Sequence, residues 1–177
     1  MMVLRRRVQL ALIFAAGLGA AAFAAARAGL TFNPSTSLPT GFYVRVDVVP
    51  HRGAIVDFCP PPTAPFAQAR ERGYIHYGHC PGRFEHMGKR IAGVPGDLVT
   101  ETAAGVLING RLLPGSAPYL RDPAGRPLPI LRTQALRIPP GRYWLMGDGN
   151  PLSFDSRYFG LVNADAVRHV VKPLWTW

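Results

Sequence analysis

The chain has 177 residues with a formal net charge of +10, 19 glycines and 18 prolines, enough for one domain of roughly 150 residues plus one further element. Glycine and proline set between β-branched and aromatic runs exclude a helical bundle and predict a mainly β domain of short antiparallel strands. The charge falls to +7 without Arg5 to Arg7 and the rest is spread along the chain. No run of basic residues interleaves with aromatics, so we expect no nucleic-acid partner and instead attraction to anionic lipid headgroups of a membrane.

In chain order, Arg5 to Arg7 precede nineteen residues, Val8 to Ala26, whose only polar member is Gln9. Nineteen helical residues span about 28 Å, close to the roughly 30 Å hydrocarbon core of a bilayer. The arginines and the absence of any acidic residue before Asp47 predict a cytoplasmic amino end. Ala24 to Ala26 would also suit cleavage of an export signal, but the apolar run is long for one. The expected organisation is a basic tail over 1–7, a transmembrane anchor or signal sequence over 8–28, and an exported domain over 29–177.

Leu30 to Thr40 reads as a turn-rich lead into a strand, Phe42 to Val49. Ser37 stands ten residues beyond Arg27, so even an extended tether keeps it within roughly 35 Å of the bilayer. A nucleophile there would meet chains emerging from the membrane, although Ser35, Thr36 and Ser37 also suit turn capping. Ala54 to Phe58 reads as a second strand and Pro65 to Arg72 as a short helix. Cys59 and Cys80 lie in two Cys-Pro pairs. In an oxidising compartment they would form a disulfide, worth about 3 kcal/mol for a loop of about twenty residues. The other reading is metal, with His76, His79, Cys80 and His86 in eleven residues; the spacing matches no standard zinc pattern, so we expect none.

Met87 to Asp97 is the stretch that most needs explaining, because Lys89 is one of only two lysines beside eighteen arginines. Arginine keeps its proton at any relevant pH, whereas a buried lysine can lose it and serve as a base. Ile91, Ala92 and Val94 make the stretch strand-like, and Val-Pro-Gly-Asp closes it with turn chemistry. Leu98 to Thr102 and Val106 to Leu113 read as strands, with Asn109-Gly110 marking a type I′ hairpin. Pro114 to Pro140 is an irregular, proline-rich excursion. Strands resume at Arg142 to Met146 and Ala166 to Val171.

A serine is a poor nucleophile until a base takes its proton, and a neutral amine can do so. Bringing a lysine from ~10.4 to ~7.5 requires roughly 4 kcal/mol of unfavourable surroundings for the ammonium. A histidine triad is the rival, but none of the five histidines sits in a Gly-x-Ser-x-Gly setting.

Three strings belong together: Ser37-Leu38-Pro39, Lys89-Arg90-Ile91-Ala92-Gly93-Val94-Pro95-Gly96-Asp97, and Gly147-Asp148 followed by Ser153-Phe154-Asp155-Ser156-Arg157-Tyr158-Phe159-Gly160. In residues, order and rough spacing they resemble the type I signal peptidases. The short single-anchor layout, Phe32-Asn33 ahead of the serine, Thr40-Gly41-Phe42-Tyr43 after it and the two Cys-Pro pairs resemble the TraF-type peptidases of conjugative transfer.

That resemblance implies a signal-peptidase-like β domain with one amino-terminal transmembrane helix, in the bacterial inner membrane with the domain in the periplasm. It makes Ser37 the nucleophile and Lys89 the general base, with no cofactor. Ser153 would orient the lysine, Asp155 and Arg157 would form a supporting ion pair, and Ser35 would aid the oxyanion hole. Cleavage would follow small-x-small sequences, and we expect Phe42, Ile91 and Val94 to line the shallow pockets. Implied substrates are a pilin precursor, which the enzyme would mature or cyclise, or exported preproteins in general; other conjugative transfer components are further partners. A non-enzymatic assembly factor of a type IV secretion apparatus is the alternative. One departure is Gly149-Asn150-Pro151, where signal peptidases usually carry Asn-Arg after Gly-Asp.

Overall fold

The computed structural model describes residues 2–148 and 150–177. It opens with helix α1, Met2–Arg27. From Arg5 to Arg27 this helix is long and apolar enough to cross a membrane, and none of its apolar window is buried by the remainder of the chain. A helix apolar all round and uncovered by protein fits a membrane anchor.

The remaining chain is mostly β, as composition predicts. Among the described residues, one antiparallel sheet has seven strands in the order β1-β2-β12-β3-β5-β10-β11. These are β1 Leu30–Asn33, β2 Gly41–Val46, β3 Ile55–Phe58, β5 Met87–Gly93, β10 Arg142–Met146, β11 Val162–Asn163 and β12 Val167–Thr176. A second sheet orders β8 Arg111–Leu112, β7 Gly105–Ile108, β6 Leu98–Thr102 and β9 Leu136–Arg137. Strand β5 buries Met87, Lys89, Ile91 and Gly93 in strict alternation, the period-2 pattern of a pleated strand. Its inward face joins Val56, Phe58, Phe66, Phe84, Leu145 and Tyr158 in the main core.

Strand β10 is apolar on both faces because each face has its own core. Leu145 enters the main core, while Trp144 and Met146 pack with Val99, Val106 and Ile108 from the second sheet. Asn109 and Gly110 both have positive φ, 51° and 78°, which is the type I′ turn read from the Asn-Gly pair.

Several elements depart from the sequence reading, among them β9, which lies inside the stretch read as irregular and pairs with β6, and β11. Leu30–Asn33 is a strand, pairing from Leu30↔Val44 to Asn33↔Gly41; its partner lies beyond a seven-residue turn, so no local pattern announced it. Tyr77–Cys80 forms β4 in a stretch read as loop. Strand β2 stops at Val46 rather than Val49, leaving Val48 and Val49 exposed. Strand β12 runs on past Val171 through Pro173, where its register with β2 shifts, the kind of irregularity at which a missing N–H is tolerated. Helix α2, Ala64–Glu71, buries Phe66 and Ala69 as its pattern suggested.

Cys59 and Cys80 form a disulfide, with Cα atoms 5.3 Å apart. It closes the span that carries α2. His86 Nε2 lies 3.8 Å from Cys59 Sγ, but His76 and His79 are exposed elsewhere, so the four-residue cluster read from sequence is not assembled.

Candidate active site

Ser37 sits half-buried in the turn between β1 and β2. The turn is held from within by Asn33, whose Nδ2 donates to Ser35 O at 3.0 Å, Pro39 O at 3.2 Å and Leu38 O at 3.3 Å. It is held from outside by the segment after β10. Asp148 N donates to Ser37 O at 2.8 Å, Asn150 Nδ2 to Thr36 Oγ1 at 2.9 Å, and Ser153 Oγ to Ser37 Oγ at 3.1 Å. Two segments more than a hundred residues apart are thus joined by three hydrogen bonds around one hydroxyl. Gly147 makes the approach possible: a Cβ there would stand 2.3 Å from Ser153 Oγ and 3.1 Å from Ser37 O.

Lys89 enters from β5, opposite Val56 on β3, and is only 2% exposed. Burial drives its pKa down from 10.5 to about 8; the charges of Asp155 and Asp148 pull it back up and that of Arg157 pushes it further down. Leu38 ties the two catalytic candidates together spatially, since its Cδ1 lies 3.0 Å from where a Cβ on Gly88 would be. Ser37, Lys89 and Ser153 line one cleft of about 900 Å3.

Asp155 and Arg157 form the expected ion pair, bidentate at 2.8 Å for each bond, with side chains 0% and 1% exposed. The pair is also a bracket. Asp155 Oδ2 accepts Gly147 N at 3.0 Å, and Arg157 donates to Ser153 O at 3.1 Å and Ala117 O at 3.0 Å. Ser153, which contacts Ser37, is therefore fixed through its own carbonyl. Ser35 also lines the cleft, but its Oγ donates to Asn33 Oδ1 at 3.0 Å and must turn from it to reach an oxyanion.

Phe42, Ile91 and Val94 do not line the cleft, which corrects the pocket assignment made from sequence. Phe42 lies on the other face of β2 from Tyr43 and packs with Phe32, Trp175 and Trp177, at centroid distances of 5.2, 6.5 and 6.5 Å. Ile91 shares the face of Lys89 but is wholly buried in the core. Val94 lies past the end of β5, its N–H donating to Asp97 Oδ2 at 2.8 Å. The apolar lining comes from Leu38, Tyr43, Met87, Leu128, Phe154 and Val171.

Sequence reading also missed two polar supports. Arg90 Nε donates to Asp148 Oδ2 at 2.6 Å, coupling the lysine strand to the residue whose N–H holds Ser37. Buried Ser156 accepts Leu145 N at 2.8 Å. Both lie inside the motifs, next to residues with obvious roles. Of the unusual tripeptide, Gly149 lies outside the described residues, while Asn150 takes the place of a clamp. Among the described residues, Cys59, Cys80 and His86 alone have the closeness of a metal-ligand group, and disulfide formation removes the two thiolates it would need.

The family model described as "Signal peptidase, peptidase S26" matches residues 3–175. The chain is 44% identical over 154 residues to the plasmid transfer protein TraF of Escherichia coli, covering 87% of each. It is 33% identical over 170 residues to the conjugal transfer protein TraF of Agrobacterium tumefaciens, covering 94% of this chain and 92% of the relative. A signal peptidase I crystal structure from Enterococcus faecalis aligns over 71% of this chain and 98% of its own, with 27% identity and a TM-score of 0.42. With a match from α1 to the end of β12, the chain belongs to the signal peptidase family, peptidase S26, and is a serine peptidase.

Proposed function

We propose that this protein is a membrane-anchored Ser/Lys endopeptidase that matures the pilin precursor of a conjugative transfer system from the periplasmic side. The observation that carries the mechanism is Lys89: a buried amine with a pKa of about 8, in one cleft with a serine hydroxyl already held by Ser153. The conjugative substrate rests on the names of the relatives, all of the first five being plasmid or conjugal transfer proteins.

In the proposed reaction, neutral Lys89 Nζ takes the proton from Ser37 Oγ as that oxygen attacks the scissile carbonyl. The oxyanion of the tetrahedral intermediate is stabilised by Ser37 N–H and the Ser35 hydroxyl, each donor contributing about 3 kcal/mol. The Lys89 ammonium then protonates the leaving amine, and the peptide C–N bond breaks to leave an ester on Ser37. Water resolves the ester to an acid, or the precursor's own amino group resolves it to a cyclic product.

Mass spectrometry of a pilin precursor before and after incubation with the full chain tests this reading. Loss of a terminal segment after a small-x-small sequence is expected, and a further loss of one water marks cyclisation. Side chains of an extended peptide alternate, so the two small positions face one wall, which Leu38, Tyr43 and Val171 help to form. Leucine or phenylalanine at either position should lower the rate at least about tenfold. An unchanged precursor mass sinks the proposal, and equal cleavage of the bulky variants removes the small-residue specificity.

Orientation has its own test. Arg5 to Arg7 before the apolar helix support an amino end in the cytoplasm. Alkaline phosphatase, which is active only when exported, should be active when fused after Trp177. Activity instead from a fused cytoplasm-dependent reporter would put Ser37 on the wrong side.

A further inference from the structure

The mechanism leaves part of the cleft unused. Besides Ser37 and Lys89, its walls include Arg72 and Tyr74, which follow α2, and Asp122 and Arg126 from the irregular excursion. Asp122 is fully engaged. Its Oδ1 accepts Arg126 N at 2.8 Å, and its Oδ2 accepts Arg126 Nε at 2.6 Å and the Tyr74 hydroxyl. Burial pushes the Asp122 carboxyl up, but these partners outweigh it and bring the pKa down to about 2, so the carboxylate stays ionised.

The guanidiniums are not so fully used. Arg72 gives Nη1 to Pro127 O at 2.7 Å and stands beside the Tyr74 hydroxyl. Arg126 gives Nη2 to Arg72 O at 3.3 Å, its guanidinium also stands beside the Tyr74 hydroxyl, and its Nη1 makes no further hydrogen bond among the described residues. The bonds of Nε to Asp122 and of Nη2 to Arg72 O orient the Arg126 guanidinium, which lies 5.7 Å from the Tyr74 ring centroid with its side chain 41% exposed. The other carboxylates of the cleft lie outside this cluster: Glu85 keeps its charge and accepts His76 N at 2.7 Å, and Asp57 faces His169 Nδ1 at 3.1 Å and His86 Nδ1 at 3.5 Å. Two cations around one saturated anion leave this wall with a surplus positive charge and an oriented donor. That combination recognises a carboxylate.

We propose that Arg72 and Arg126 form a carboxylate-binding subsite that holds an acidic group of the bound peptide in the cleft of Ser37. The group is a Glu or Asp side chain or the peptide's own free C-terminus, which offer the same chemistry. The subsite rests on the reading of this cleft as the peptide-binding cleft and adds to it a charge preference that small-x-small recognition lacks.

The test measures binding, so that it does not depend on turnover. The full chain carrying Ser37→Ala, in detergent micelles, is titrated into fluorescently labelled small-x-small peptides. The parent peptide is amidated and has no acidic residue; one set carries a single glutamate scanned along it, and one peptide has a free C-terminus. At least one acidic peptide should bind about tenfold more tightly than the parent, the scale of one charge-assisted bond, and which one gains identifies the source of the carboxylate. Arg72→Gln with Arg126→Gln should erase the gain, read as the ratio of acidic to parent peptide affinity on the same variant. Arg72→Gln alone, which keeps the Asp122–Arg126 pair and guards against misfolding, should lose at least about threefold of it. No gain for any acidic peptide, a gain that survives the double variant, or no binding at all overturns the subsite. Binding with this preference but no cleavage by the Ser37 form would instead overturn the peptidase mechanism and leave the subsite standing.

Discussion

Lys89→Arg is expected to abolish precursor processing, with kcat/KM falling by about 10² to 10⁴, the usual contribution of a positioned general base. Arginine keeps the positive charge and cannot give up its proton, so retained turnover would sink the Ser/Lys mechanism. Lys172→Arg, at an exposed position on β12, should be nearly silent. In the unaltered protein the logarithm of kcat/KM should climb with unit slope as pH rises and level off above about 8, where Lys89 is neutral. A profile flat through that range would remove the amine from the chemistry.

The same burial sets a stability effect of definite sign. The folded pKa is about 8 against an ordinary 10.5, so between those values the unfolded chain holds a proton that the folded chain has released. Stability therefore rises with pH across that window, and below about 8 the full penalty of about 3 kcal/mol is present. Lys89→Met should be inactive yet more stable at neutral pH by up to about 3 kcal/mol, the gap closing above pH 10.5. Denaturation of both forms at two pH values measures it, and a Met variant less stable at pH 7 would contradict a penalised amine.

Asp155→Ala and Arg157→Ala should each destabilise the fold by about 3 to 5 kcal/mol, because each strands a buried opposite charge. The loss reaches the site as well. Without Arg157 the Ser153 carbonyl loses its donor, and without Asp155 the Gly147 N–H loses its acceptor. Processing should drop even where the protein remains folded, with Ser153 free to leave Ser37. Chemical denaturation paired with kcat/KM separates the two effects. A variant of normal stability would show that the pair is not a structural bracket.

What could be read from the sequence were features whose signals are local. The apolar helix, the Asn109-Gly110 turn and the strand-like run around Ile91, Ala92 and Val94 each announce themselves within a few residues. The strand β1 does not, because its hydrogen bonds run to β2 across the serine turn. Phe42 and Ile91 show the limit of alternation: it assigns a residue to a face of a strand, not to a depth, and depth depends on the strands packed above. Asp148 contributes a backbone N–H, which no side-chain pattern reports. The wall formed by Arg72, Tyr74 and Arg126 joins a stretch after α2 to a proline-rich excursion about fifty residues later, and neither half carries a periodic signal.

Strand β10 has a consequence for how the molecule comes apart. With Leu145 in one core and Trp144 and Met146 in the other, neither sheet can lose its neighbour without opening an apolar face to water. The two should melt as a single cooperative unit, with the same protection against hydrogen exchange in β5 and β6. It follows that the smaller sheet is not a detachable module. New sequence could be grafted at the exposed Asn109-Gly110 tip, where chain can be added without touching the shared strand, whereas excising the sheet would unmake the seven-stranded sheet that carries Lys89 along with it.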